Sequence, residues 1–177
     1  MLGQQMSEAR ETADLYPSVV EGISGTGNFF RKGTWTPILS ELNATDTTAS
    51  THSAVQTALG WYERIGDTVF VNWRYTTPAT SYSYTNGSSG TGQLAFVGLP
   101  FTIANETGYY PAATCGYFAS WDSWSASYTP MGLGFYNAKQ VRCYYAVADG
   151  VQNMASSHHS ASNSDSIWSM TYRTDEA

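Results

Sequence analysis

Between Asp67 and Thr76 the chain alternates: Val69, Val71, Trp73 and Tyr75 fall on one face, with Asn72, Arg74 and Thr76 on the other. A period of two is the pattern of a strand with one buried side. The aromatic-rich stretch Gly60–Arg64 precedes it across the short connection Ile65-Gly66-Asp67-Thr68, which predicts an antiparallel hairpin. Similar phrases flank this pair: Gly33-Thr-Trp-Thr-Pro-Ile-Leu39, Gly98-Leu-Pro-Phe101 and Met170–Asp175. Further strands read near 47–52, 93–98, 112–120, 131–136, 140–147 and 166–173, beside those at 34–39, 58–65 and 68–77. Asn86-Gly87 marks a turn, and Pro100 ends a strand because it cannot donate to a ladder. Eight or nine short strands predict an all-β chain, folded as an antiparallel jelly-roll-type β-sandwich. No repeat of solenoid or propeller length occurs.

The first 32 residues read differently. Ser7–Leu15 holds good helix formers behind a capping serine, and Tyr16-Pro17 ends the run. Gly22–Asn28 reads as a linker. The predicted organisation is a short, partly helical N-terminal docking arm, 1–32, followed by one β domain, 33–177.

Composition sharpens this picture. Charged residues make up 12% of the 177 residues and aromatics 15%, with six Trp, thirteen Tyr and seven Phe. That aromatic content favours a packed β core over an unstructured chain. The net charge of −6 argues against nucleic acid or an anionic membrane as partner. Met1–Arg10 lacks the apolar core of a signal peptide, and no apolar stretch reaches membrane-spanning length, so membrane insertion is not expected. Cys115 and Cys143 are read as two buried free thiols, with a disulfide as the alternative. No paired-cysteine metal motif is present, and neither metal nor cofactor is expected.

The repeated phrases carry structural roles first. Gly33, Gly60, Gly66 and Gly98 are expected at turns or bulges. Trp35, Trp61, Tyr62 and Trp73 supply large apolar side chains, each stabilising by about 2–3 kcal/mol where buried. Arg64 and Arg74 are candidates for cross-strand pairs with acids.

Candidate binding chemistry lies elsewhere. In 119–128, Trp121, Trp124 and Tyr128 interleave with Asp122 and three serines. Aromatic rings cover the C–H face of a sugar while short polar groups bond its hydroxyls. Tyr109, Tyr110 and the Tyr82/Tyr84 pair add similar surfaces. The competing assignment buries these aromatics in the core or between subunits. His158 and His159 sit in a polar stretch, where one histidine from each of three chains could meet a metal on a threefold axis; a solvated loop is the favoured assignment. His52 reads as a lone strand residue. No Gly-x-Ser-x-Gly elbow appears and acids are sparse and mostly single, so no catalytic residue is assigned and the chain is not expected to be an enzyme. An ester- or glycan-cleaving activity through Asp122/Ser123 and His158/His159 stands as the minor alternative.

The order GTWTP from Gly33, GWYERIGDTVFV from Gly60, a Ser/Gly-rich loop leading to GQLAFVGLPF, and a terminal TYRT resembles the jelly-roll domain of bacteriophage virion fibres and spikes. The resemblance covers about residues 33–174. It implies a virion protein assembled in the host cytoplasm, as a homotrimer of sandwich domains. It further implies attachment to a capsid or tail protein through 1–32, and loops that meet a host-surface polysaccharide or other receptor. A tail spike, a fibre tip or a head fibre all fit the length. The alternative within the resemblance is a purely structural decoration without receptor binding.

Overall fold

The computed structural model describes residues 30–42, 48–51, 55–77, 92–121, 129–155 and 164–176. Among them every regular element is a strand: β1 Phe30–Trp35, β2 Ile38–Leu42, β3 Thr48–Thr51, β4 Thr57–Ile65, β5 Thr68–Thr76, β6 Gln93–Val97, β7 Ala112–Ala119, β8 Thr129–Gly134, β9 Gln140–Val147, β10 Gly150–Asn153 and β11 Asp165–Arg173. The all-β antiparallel expectation is met. The predicted arm helix and the Asn86-Gly87 turn lie outside the described residues. Phe30 is the first described residue, and it already lies in β1 together with Gly33.

Hydrogen bonding runs without interruption in the order β1-β4-β5-β11-β7-β8-β9-β6-β2-β3, with β10 beside β9. The two separate sheets of a simple sandwich are therefore joined, because β8 pairs with both β7 and β9. The sheet curls strongly. Five steps separate β5 from β6 in this order, a span of roughly 24 Å if flat, yet the Trp73 and Phe96 rings meet at 5.5 Å.

That contact is the centre of the core. Val69, Val71, Trp73 and Tyr75 are all buried, while Phe70, Asn72 and Arg74 are exposed, as the alternation predicts. Thr76 departs from the pattern and is buried at the strand's end. Trp73 lies parallel to Trp168 of β11 at 6.0 Å and meets Trp35 edge-on at 5.7 Å. Trp35 closes over Gly60, where any Cβ would overlap the indole. Gly60 thus serves a close approach inside β4 rather than a turn, and Gly33, also within a strand, lies against the Tyr62 ring. Gly66 and Gly98 do occupy positive-φ positions, at 60° and 84°.

Two aromatic and basic positions differ from the sequence reading. Trp61 points outward and is 48% exposed, because adjacent strand residues face opposite sides and Tyr62 takes the inner one. Arg64 shares that inner parity and is buried. Instead of pairing with an acid it donates to the Gly66 and Glu176 carbonyls, and its guanidinium lies 4.9 Å from the Phe101 ring centre. The two cysteines are free thiols.

Candidate functional site

Register gives the domain two distinct ends. Phe30 pairs with Ile65 beside the Gly66-Asp67 turn, and Thr174 donates to the Asp67 carbonyl. The first and last described strands therefore reach the same end. Leu42, Thr76, Gln93, Ala119, Thr129 and Asp165 lie at the opposite end of the ladder. Four connections, 43–47, 78–91, 122–128 and 156–163, start and finish there.

Two hydrogen-bonded knots bring the feet of these connections together. Thr77 N–H donates to the Ser164 carbonyl at 2.9 Å, Ser164 N–H returns to Thr77 Oγ1 at 3.1 Å, and Ser164 Oγ donates to the Ser120 carbonyl at 3.1 Å. On the other side, Gly92 N–H donates to Glu41 Oε1 at 2.6 Å, and Gln93 bridges to Ala155. A carboxylate accepting a backbone N–H forms a strong, short bond. Fixed anchors of this kind hold loops for recognition on a rigid frame.

Beside the first knot is a depression of about 380 Å³ lined by Gln56, Thr57, Arg74, Thr76, Thr77 and Asp165. Arg74 and Asp165 form a two-pronged pair across β5 and β11, at 3.1 and 2.7 Å. The carboxylate beside it raises the Arg74 pKa further above its ordinary value. Donors, acceptors and hydroxyls converge here without an apolar wall. Such a lining suits a hydroxyl-bearing ligand. The sequence signalled Arg74 as a pairing residue; the threonines became visible only once register placed them together.

Three of the six sequence-predicted binding residues, Trp121, Tyr109 and Tyr110, lie among the described residues. Asp122, Trp124 and Tyr128 lie outside the described residues, as do Tyr82, Tyr84, His52, His158 and His159. Trp121 is only 6% exposed and stacks on Phe118 at 4.6 Å, so its ring serves the core and presents no platform. Tyr109 and Tyr110 stand at the terminus-bearing end, a strand's length away from Trp121. The Tyr109 hydroxyl accepts the Arg173 N–H at 2.9 Å, which fixes it structurally. Tyr110 is 45% exposed and meets Phe135 and Tyr136 edge-on at 4.9 and 5.7 Å. Tyr109 and Tyr110 therefore lie at the opposite end of the domain from Trp121.

Charge is concentrated at the terminus-bearing end. Arg173 bridges Asp67 at 3.0 Å and Glu106 at 3.2 Å, and Lys139 reaches Glu176 at 3.2 Å. The Arg173 hydrogen bond holds the Asp67 carboxyl below its ordinary value. Partial burial pushes the Glu176 carboxyl up, but hydrogen bonds from Thr102 and Lys139 outweigh it and leave the group lowered. No group of three or more potential metal ligands occurs among the described residues.

No protein-family model and no curated protein sequence matches the chain. Among solved structures it is similar to the crystal structure of the Dettilon tailspike protein, with a TM-score of 0.62 at 15% identity. The match covers 81% of this chain and 24% of that one, so the chain spans about a quarter of that protein's length. At this identity the likeness establishes a shared β fold.

Proposed function

We propose that the chain is a bacteriophage virion protein, a spike or fibre head of jelly-roll type. In this reading it forms a homotrimer, attaches to the particle through residues 1–32 and offers its loop-bearing end to a host-surface polysaccharide. The observation that carries the reading is the polarity of the domain. The connection to residues 1–29 leaves from one end, and four tethered connections crowd the other. The fold shared with a tailspike supports it, as do the phrases that resemble virion fibre domains. The role is one of adhesion, without cleavage of the receptor.

Binding of the purified chain to a glycan array and to host cells tests this. Trp124→Ala and Tyr128→Ala should each weaken binding by about ten-fold or more, the loss of about 1.4 kcal/mol. Tyr110→Ala, at the other end, should leave it unchanged. No binding to host cells or glycans by the folded wild-type chain would sink the adhesion reading. Release of sugar or acetate by the wild type, lost in His158→Ala, would overturn the non-enzymatic assignment.

A purely structural role in the capsid or tail is the second reading, and one observation favours it. The inward Trp121 and the engaged Tyr109 hydroxyl remove two of the six candidate contacts from the receptor surface.

A further inference from the structure

The outer face of the β1-β4-β5-β11-β7 half carries large apolar side chains that stand exposed among the described residues. Phe30, Leu59, Trp61, Ile65, Phe70, Tyr117 and Ile167 are all exposed, Trp61 by 48% and Tyr117 by 50%. Register makes them one patch. Phe30 stands opposite Ile65, and Ile65 is the diagonal neighbour of Phe70 through Thr68. Phe70 is in turn diagonal to Trp61 through Asn72. Leu59 lies two residues before Trp61 on the same face, and the row Leu59–Arg74–Ile167–Tyr117 continues across β5 and β11 to β7. Cross-strand and diagonal neighbours on a sheet are within touching range.

We propose that this face is where copies of the chain pack against one another. The proposal rests on the assembled state in the preceding reading and assigns its surface. Seven such side chains, each nearly half uncovered, expose on the order of 600 Å² of apolar area, at or above the largest patch of an ordinary monomer. A standard interface covers about 800 Å² per partner, of which roughly 60% is apolar. With ridge and depression facing different neighbours, the patch supplies about 600 of the roughly 960 Å² of apolar area that a standard contact buries over both partners.

Charge favours a second copy as occupant. The whole chain carries −6, so two copies repel over most orientations. This face is closer to balance: Lys32, Arg74 and Arg173 stand among Glu63, Asp165, Asp67 and Glu106, and Lys32 lies directly opposite Glu63. Shape agrees with charge. The apolar ridge runs along β4, while a depression of about 320 Å³ lies between Phe70, Thr114, Ser169 and Thr171 on β5, β7 and β11. Ridge and depression occupy different strands, so one copy's ridge enters the next copy's depression. That contact is heterologous, the kind that forms a ring where the rotation between copies closes. Because these strands run from the terminus-bearing end to the loop-bearing end, an axis along them gathers every copy's loops at one pole.

Sedimentation of the wild type, Trp61→Glu, Ile167→Glu and the double variant tests the assignment, with Val151→Glu as an exposed control on β10. The wild type and Val151→Glu should run as a multiple of the single-chain mass. The double variant should run as one chain with an unchanged far-ultraviolet spectrum. Hydroxyl-radical footprinting of the unmodified protein provides a readout that needs no folded variant. Trp61 and Tyr117 should be at least about five-fold less oxidised than Tyr110, whose exposure in the single chain is comparable. Assembly that survives both glutamates, or equal oxidation of Trp61 and Tyr110 in an assembled wild type, would overturn the face while leaving the assembled state intact. A wild type that runs as a single chain would overturn both.

Discussion

Trp73 and Trp61 lie on neighbouring strands, in the hairpin most legible in the sequence, and have opposite fates. Trp73 contacts Trp35, Phe96 and Trp168 and has no exposed surface. Replacing it with alanine leaves a cavity between both halves of the curled sheet and should cost about 3–5 kcal/mol in urea unfolding. Trp61→Ala removes a ring already half in water and should cost the folded single chain less than about 1 kcal/mol. Equal costs would mean that the outward parity of Trp61 is wrong. The thiols give a second residue-scale expectation. Burial pushes the Cys115 thiol up to about 12 and Cys143 higher still, so little thiolate exists near neutral pH. Iodoacetamide at pH 8 should therefore label both at least ten-fold more slowly in the native chain than in denaturant. Rapid native labelling would contradict the packing around β7 and β9.

At the scale of elements, the β4–β5 hairpin was readable because each strand buries one face only, so alternation exposes the period. Which member of Trp61-Tyr62 faces inward was not readable. Adjacent aromatics give the parity no preference, and the answer depends on Trp35 closing over Gly60 from β1. Tyr109, Tyr110 and Trp121 are close in sequence but stand at opposite ends, because the eight residues of β7 span roughly 27 Å. Proximity along the chain does not bring them together, because the strand between them runs the length of the sheet. Pro37 likewise hid a division: β1 and β2 read as one strand, yet they pair on opposite halves of the sheet. Gly60→Ala should destabilise by about 1–3 kcal/mol through overpacking against Trp35, although its backbone needs no positive φ. The β11 end has its own pH signature. Asp67 and Glu176 are both lowered in the fold, so their stabilising share is complete above the unfolded carboxylate range and is lost as pH falls through and below about 4. The melting temperature should fall with acid over that window, and Asp67→Asn should flatten the slope. An Asp67→Asn protein with the wild-type acid profile would remove Arg173–Asp67 from the account.

The whole molecule separates two tasks along one axis. Strands running end to end carry the incoming chain at one pole and the tethered connections at the other, and the core between them is shared by both halves of the sheet. A rigid frame of this kind allows either pole to change without the other, because the intervening packing does not depend on the loops' sequence. Attachment and adhesion should therefore be lost independently. A chain lacking 1–29, which keeps β1 entire, should still bind host cells but fail to join particles. A chain with 122–128 replaced by a Gly/Ser segment of equal length should join particles that no longer adsorb. Its melting temperature should stay within a few degrees of wild type, since the Thr77–Ser164–Ser120 knot is kept. Particle purification followed by adsorption counts reads both outcomes. Loss of both functions in either folded variant would mean that the two poles are coupled, and the proposed division of labour along the strand axis would fail.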